Sequence, residues 1–399
     1  MRVLYLTSRL PYPPDRGDRL RAYHIIERLS SEHEVVLVSF VARRDEGDHV
    51  SSLLPFCQDV KLVHMSPRRS AVTVAANIWR SDPFQTLYYR SRSMRHLLAQ
   101  IVAEGALRGK PLDAAVAHLF RMAPYLECCP RAYRIVDLTD AISEEVSRSL
   151  PYRGFLWRSI YRLEGPRIRR YERTVAGAFD EAWLISRADR DVLATSCPRA
   201  NLRVVPNGVD SSRFYPTGEP ARPDSLVFVG HMGVMHNVDA ALFLAREILP
   251  RVRTQVPGCT LDIVGASPSV AVQQLTACPG VAVTGYVEDL NHYLNRAVLF
   301  VAPLRFAAGV QNKVLEAMSA GRPVLTTSLV NAGLGAQAGR DLEVADGADD
   351  IAREVVALLR DRERCEAIGR AGLAFVHQAY SWDRAALRMR EVEASRGVA

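Results

Sequence analysis

Residues 309–327 read GVQNKVLEAMSAGRPVLTT, an order that predicts a loop, a short helix, a tight turn and a strand. Val310, Val314, Leu315, Ala317 and Met318 fall on one side of a 3.6-residue wheel, so that side faces a core. Gly321 is the left-handed stop that helix ends favour, and Arg322-Pro323 then starts the strand Val324–Thr327. The apolar run Val298–Pro303 precedes the stretch, which makes it part of a series of strands and helices of the α/β kind.

The opposite side of the helix carries Lys313 and Glu316, three residues apart and neighbours on one face. A solvated ion pair is one reading. The order of charges argues for another, because a cation in the first turn and an acid after it oppose the helix dipole. First-turn amides and an ammonium together make an anion site, and a carboxylate one turn on accepts hydrogen bonds from sugar hydroxyls. A nucleoside diphosphate offers both partners. Lysine is also rare in this chain: Lys61, Lys110 and Lys313 stand among 51 basic residues that are otherwise arginine.

The chain has 399 residues and 48% hydrophobic content, enough for two domains with substantial cores. No run approaches the ~18 apolar residues of a membrane helix. The start, MRVLYLTSRLPYPP, lacks a cleavage-type site, so secretion by that route is not expected. Seven cysteines, scattered apart from Cys128-Cys129, give neither a disulfide framework nor a Cys-x-x-Cys metal pair, and a reducing cytoplasm is expected. A net charge of +7 suits phosphorylated ligands or an anionic surface. The basic runs and modules of nucleic-acid readers are absent from the sequence, so no nucleic-acid partner is expected.

In the amino-terminal half, Arg2–Thr7 reads as a strand, SRLPYPPDRG as a loop, and Ala22, Ile25, Ile26 and Leu29 as one face of a helix before the strand His33–Phe40. Gly17 stands at the helix start of this βαβ unit, where a missing side chain lets the backbone approach a ligand; a plain turn is the alternative. The loop is not Gly-x-Gly-x-x-Gly, so a dinucleotide cofactor is not indicated. Arg16, Arg19 and Arg21 meet phosphate or an acidic acceptor, or else form a solvated helix face. The strands Asp113–His118 and Arg134–Leu138 end in or near a polar residue, at the edge where doubly wound sheets bind ligands. His118 either faces that edge or is a hydrogen-bonded histidine without chemistry, and Asp137 is a weaker acceptor-side candidate.

Arg153–Arg173 carries seven arginines against two glutamates, interleaved with Phe155, Leu156, Trp157, Ile160, Tyr161 and Ile168. Contact with an anionic membrane surface and two solvated amphipathic helices split at Pro166 are both open readings. Ser186 and Asp189 make a helix start, and that capping role accounts for Asp189-Arg190-Asp191 without a metal.

Turn chemistry in VVPNGVDSSRFYP (204–216) marks a join. It divides the chain into an amino-terminal domain over 1–205 and a carboxy-terminal domain over 206–380, with a last helix within 381–399 long enough to return to the first. The second series runs through the strand Leu226–Gly230, a helix capped by Asn237, and strands Leu261–Val264, Val281–Val287 and Val298–Pro303. Gly230 and Gly233 lie in its first strand-to-helix loop, the phosphate edge of such domains, with structural turn glycines as the alternative. Arg305, eight residues before Lys313, has the fork to clamp a phosphate. The fold class expected is α/β with two doubly wound, Rossmann-like domains.

VVPNGVDSSRFYP and KVLEAMSAGRPVLTT, together with LTSRLPYPPDRGDRLRAYH, VGHMGVMHNVDA and TGYVEDL, resemble the GT-B glycosyltransferases of sequence family 4. The subgroup they look like is that of bacterial exopolysaccharide sugar transferases, some linked to exosortase systems. The resemblance covers nearly the whole chain. It implies two domains facing across a cleft and a retaining, metal-independent transfer from a UDP- or GDP-linked sugar, with no cofactor. The acceptor it implies is a glycan, a lipid-linked sugar or a small molecule, in the cytoplasm or at the cytoplasmic face of the inner membrane.

By that resemblance Glu316 matches the carboxylate on the ribose hydroxyls, and Arg305 and Lys313 the diphosphate cations. Gly309, Val310, Gln311 and Asn312 match the loop over sugar and β-phosphate, Tyr286 and Val287 the loop near the base, Gly17 the first-domain phosphate loop, and His118 the histidine near the sugar. Two departures stand out. The family's Glu-x7-Glu pair would put an acid at 308, where this chain has Ala308, and the frequent Arg and Lys of the second domain's first loop are missing from GHMGVMHN. An epimerase or hydrolase of the same fold, and a non-catalytic nucleotide-sugar binding subunit, remain the alternatives.

Overall fold

The computed structural model describes residues 1–43 and 45–396. Arg2–Thr7 (β1), Glu34–Val41 (β2), Asp59–His64 (β3), Ala114–His118 (β4), Tyr133–Thr139 (β5), Glu181–Leu184 (β6) and Leu202–Val204 (β7) form one sheet in the order 3-2-1-4-5-6-7. Ser225–Val229 (β8), Thr260–Val264 (β9), Val281–Val283 (β10), Leu299–Ala302 (β11), Val324–Thr326 (β12) and Glu343–Val344 (β13) form a second in the order 10-9-8-11-12-13. Every pairing in both is parallel.

The residues explain the architecture. Val3–Leu6 and Leu226–Phe228 are fully buried apolar runs, as strands covered by helices on both faces must be. In each sheet the strand order reverses beside the first strand of its series, between β1 and β4 and between β8 and β11. Ligands of doubly wound sheets bind at the carboxyl ends of such strands. The α/β class with two doubly wound sheets is therefore as the sequence indicated.

The described chain divides into two compact units, Met1–Pro206 with Trp382–Ala399 (unit 1) and Asn207–Ser381 (unit 2). The last helix, Asp383–Arg396, belongs to unit 1 because Ala385 and Met389 pack in the same core as Ala22, Ile26 and Leu29. Arg388 adds a hydrogen bond from Nε to Glu181 Oε1 at 2.8 Å.

Three sequence expectations need correction. The strand expected to reach Val287 ends at Val283, since Gly285 turns the chain at φ +78°. β3 was not foreseen: Lys61 and only partly buried flanks give it a weak strand signature. Phe155–Ala178 is one helix that runs through Pro166, where two were expected. A mid-helix proline costs ~3 kcal/mol, but tertiary contacts grip both sides of it. Glu164 Oε2 accepts from Phe84 N at 2.9 Å, Arg167 Nη2 donates to the Ile78 carbonyl at 2.7 Å, and Ile168 is buried.

Candidate active site

In unit 2 the short helix Asn312–Ser319 stands between β11 and β12. Val314, Leu315, Ala317 and Met318 are buried as the wheel requires. At its end the Arg322 N–H bonds the Ala317 carbonyl (3.0 Å) and the Gly321 N–H that of Met318 (2.9 Å), with Gly321 at φ +69°. This is the left-handed stop that the sequence announced. At its start Gly309 has φ +62° and its carbonyl lies 2.3 Å from where a Cβ on Gly333 would be, so both positions require glycine. Val310 and Gln311 are buried, and Asn312 Oδ1 accepts from Asn207 Nδ2 at 2.9 Å.

Lys313 and Glu316 lie side by side on the outer face without pairing. Lys313 Nζ donates to Asn237 Oδ1 (2.5 Å) and Gln311 Oε1 (3.2 Å). Among the described residues the Glu316 carboxylate has no hydrogen bond; Arg213 and Lys313 act on it through space. Burial lowers the Lys313 pKa to about 7, the neighbouring Glu316 opposing, and burial raises that of Glu316 to about 7 against the pull of Arg213 and Lys313. Two half-buried groups of opposite type are each held close to losing charge near neutral pH. In the first turn the Val314 N–H already bonds the Gln311 carbonyl at 2.9 Å, which leaves the amides of Asn312 and Lys313 ahead of the helical hydrogen-bond ladder.

Sequence reasoning did not see Asn237 in this role. It was expected to cap the next helix, yet Val234 is the N-cap of Met235–Phe243 and Asn237 sits inside the first turn. Its side chain donates to the His231 carbonyl (3.1 Å) and accepts from Lys313, tying the ammonium to the loop after β8. Gly230 is glycine because a Cβ there would lie 2.8 Å from the Asn237 carboxamide; at Gly233 it would lie 3.0 Å from the His231 ring. Gly265 was also missed: the Gly230 carbonyl lies 1.9 Å from its would-be Cβ. These glycines answer to close packing.

Arg305 points its fork at Asp239, Nε to Oδ2 at 2.9 Å and Nη2 to Oδ1 at 2.5 Å, with its guanidinium 4.6 Å from the Phe243 ring centre. The geometry suits a bidentate anion, and in the free protein a carboxylate occupies it. Tyr286 is exposed and Val287 half-buried in the turn after β10.

Unit 1 presents a different edge. Arg21, fully buried, donates to Asp137 through Nε (2.9 Å to Oδ2) and Nη2 (2.9 Å to Oδ1), and through Nη1 to the Val205 carbonyl at 2.9 Å. His118 Nδ1 lies 2.9 Å from Asp137 Oδ2, and its Nε2 lies 3.0 Å from the Asp18 carbonyl, which can only accept. Burial would raise the Asp137 pKa, but Arg21 and His118 outweigh it and set it at about 2. This corrects two expectations. Asp137, 0% exposed, has no oxygen left for an acceptor, and His118, 2% exposed, spends both nitrogens inside the protein. The signal for the network was present: Arg21 falls on the apolar stripe with Ala22, Ile25 and Leu29, where a charge needs a buried partner.

Gly17 opens the helix Gly17–Ser30 directly after the loop that follows β1, and Arg19 is held by Asp15 at 3.3 Å and Glu46 at 4.0 Å. A cavity of about 280 Å³ in unit 1 is lined by Tyr89, Arg90, Arg95, Arg121, Tyr125 and Tyr171 among others. Arg121 reaches from it to Ser8 Oγ (3.0 Å), in the loop after β1.

Residues 223–361 match the family model described as glycosyl transferases group 1. The GDP-mannose-dependent alpha-(1-6)-phosphatidylinositol monomannoside mannosyltransferase of Mycobacterium tuberculosis is 30% identical over 251 residues, 56% of this chain and 64% of the relative. The chain thus spans a little under two thirds of the length of the curated relatives it matches. Among solved structures, Anabaena Alr3699/HepE in complex with UDP and glucose superposes with a TM-score of 0.67 at 13% identity, covering 99% of this chain and 100% of that one. Sucrose-phosphate synthase (tll1590) of Thermosynechococcus elongatus gives 0.71 at 17%, covering all of both. These likenesses show the GT-B fold.

Proposed function

We propose that this chain is a glycosyltransferase of the GT-B family 4 type and carries out a retaining, metal-independent transfer of a sugar from a nucleoside-diphosphate donor to an acceptor hydroxyl, in polysaccharide or glycoconjugate biosynthesis. Unit 2 binds the donor and unit 1 the acceptor. One observation carries the reading: Lys313 and Glu316 stand beside each other on a helix start, partly desolvated, without neutralising one another. An ammonium beside the first two amides of a helix suits the diphosphate, and a carboxylate with unused acceptors suits the ribose hydroxyls.

Lys313, the first-turn amides and Arg305, once exchanged from Asp239, meet the charge that grows on the diphosphate as the glycosidic bond breaks. The acceptor hydroxyl attacks from the face the diphosphate leaves and passes its proton to a phosphate oxygen, so no protein base takes part. His118 acts through the helix start at Asp18, which it braces. With Ala308 in place of an acid, the far hydroxyls of the sugar fall to the loop Gly309–Asn312. The donor base is uracil or guanine: UDP is bound in the Anabaena neighbour, and the mycobacterial relatives are named as GDP-mannose-dependent. A lipid-linked sugar is the acceptor class favoured by the relatives' phosphatidylinositol monomannoside, ahead of a glycan or small molecule.

A thermal-shift panel of UDP, GDP and their sugar conjugates tests the donor site. A ligand at 100 times its Kd stabilises by about 2.7 kcal/mol, and silence from the whole panel would overturn the proposal. Release of free sugar or an epimer from donor alone would favour the hydrolase or epimerase alternative.

A further inference from the structure

Among the described residues, eight of the fifteen exposed large apolar side chains lie in two stretches of unit 1: Val72, Ile78 and Trp79, and Tyr152, Phe155, Leu156, Trp157 and Leu163. The two stretches meet at one end: just past Leu163 the helix is bound to the end of the first stretch by Arg167 on the Ile78 carbonyl, and Glu164 accepts from Phe84 N just beyond that stretch. Every residue from Phe155 to Ser159 is exposed, so the first turn of the long helix stands clear of the core. Phe155 is 89% exposed, Trp79 78% and Trp157 57%, whereas the other two tryptophans, Trp183 and Trp382, are buried. Large aromatic side chains left in water mark an interaction surface, and Trp157 stays more than half exposed although its ring lies 6.3 Å from that of Tyr161.

The charge around them selects the partner. Arg68, Arg69, Arg158 and Arg162 are exposed, and none of them is ion-paired among the described residues. The acids of the helix, Glu164 and Glu172, are buried and turned inward, the second accepting from Ser143 N at 3.1 Å. The face is therefore apolar and aromatic at the exposed helix start and cationic around it, and Asp82, just beyond the first stretch, is paired to Arg80. Tryptophan at the headgroup level, an apolar wedge and unpaired arginines are the chemistry of an interfacial membrane contact with anionic lipid.

We propose that Val72–Trp79 and Tyr152–Leu163 form one surface by which unit 1 docks on an anionic phospholipid bilayer. The inference goes beyond the transfer reaction and stands without it, because partition onto vesicles is read with no donor present.

The full chain is mixed with vesicles of pure phosphatidylcholine and with vesicles rich in phosphatidylglycerol. It is expected to float with the anionic vesicles alone, to be released by salt, and to shift its tryptophan emission to the blue as Trp79 and Trp157 leave water. A Phe155→Ser/Leu156→Ser/Trp157→Ser variant should lose partition at least about tenfold, and Arg158→Glu/Arg162→Glu should lose it mainly at low salt. Both variants alter exposed side chains, so donor-induced thermal shifts should match those of the parent. Equal flotation of the triple variant, or no flotation at low salt, overturns the proposal. So does a chain that stays off vesicles and elutes as a dimer that the triple variant dissolves, which would make the surface a contact between copies.

Discussion

The carboxyl edges of the two sheets are built from the same kinds of residue and wired in opposite ways. In unit 1, Arg21, Asp137 and His118 consume one another, the carboxylate held at about pKa 2 with both oxygens engaged. In unit 2, Lys313 and Glu316 are three residues apart, yet among the described residues they form no ion pair: the ammonium rests on neutral amides and the carboxylate accepts no hydrogen bond. A buried ionic network that is fully satisfied fixes a shape, whereas desolvated charges left unmatched are affinity held for a ligand. The first edge is a brace for the helix start at Asp18, and the second is the receptor under the proposed function.

The comparison breaks most visibly if the brace is removed. Asp137→Ala leaves the Arg21 guanidinium buried without a counter-charge and should destabilise unit 1 by ~3–5 kcal/mol in a urea titration; a loss below ~1 kcal/mol would deny the network its role. Because the folded pKa of Asp137 is depressed, the stability it confers is complete above the unfolded value of ~3.9 and disappears as pH falls toward about 2. Acid unfolding of the parent should carry that window, and Asp137→Asn should lack it.

Lys313→Ala asks the opposite question. Removing an ammonium that burial already disfavours should cost little stability, while the affinity for UDP or GDP falls about 10- to 100-fold, the worth of a charge-assisted hydrogen bond. Calorimetry on the free nucleotides measures it, and binding at the parental Kd would remove Lys313 from the donor site.

Acidity separates the two receptor groups. A diphosphate binds the protonated lysine, so its affinity should weaken up to about tenfold per pH unit once pH rises past the free value of about 7. A nucleoside without phosphate needs the Glu316 carboxylate ionised, and its affinity should instead improve as pH rises through about 7. Parallel profiles for the two ligands would mean that the groups do not divide the donor between them.

Much of the receptor was legible in the sequence and little of the brace. Gly321, the apolar wheel of the helix and the odd order of Lys313 and Glu316 are local signals, and periodicity with helix-end chemistry reads them directly. The partners of Lys313 and Arg305 are not local: Asn237 lies 76 residues from Lys313 and Asp239 lies 66 from Arg305, brought close by the parallel register of β8 and β11. The brace spans more still, 116 residues from Arg21 to Asp137. Pro166 shows the same limit in reverse, since a strong local stop signal lost to contacts with Ile78 and Phe84. Parallel sheets place their chemistry at strand ends, and the chain between those ends sets which residues meet there.

The smallest effect concerns Arg305, which belongs to the receptor but is wired like the brace. Its pairing with Asp239 is bidentate yet partly open to water, the side chains being 34% and 15% exposed, so it contributes about 0.2–1 kcal/mol. If Arg305 turns to the donor phosphate, that pairing competes with binding, and Asp239→Asn should tighten the nucleoside diphosphate up to about fivefold without changing the affinity for the nucleoside. If the carboxylate instead aims the guanidinium, the same substitution weakens the diphosphate. Unchanged affinity in both Asp239→Asn and Arg305→Ala would assign the pair to the packing of the helix Met235–Phe243 and leave Lys313 as the diphosphate cation of unit 2.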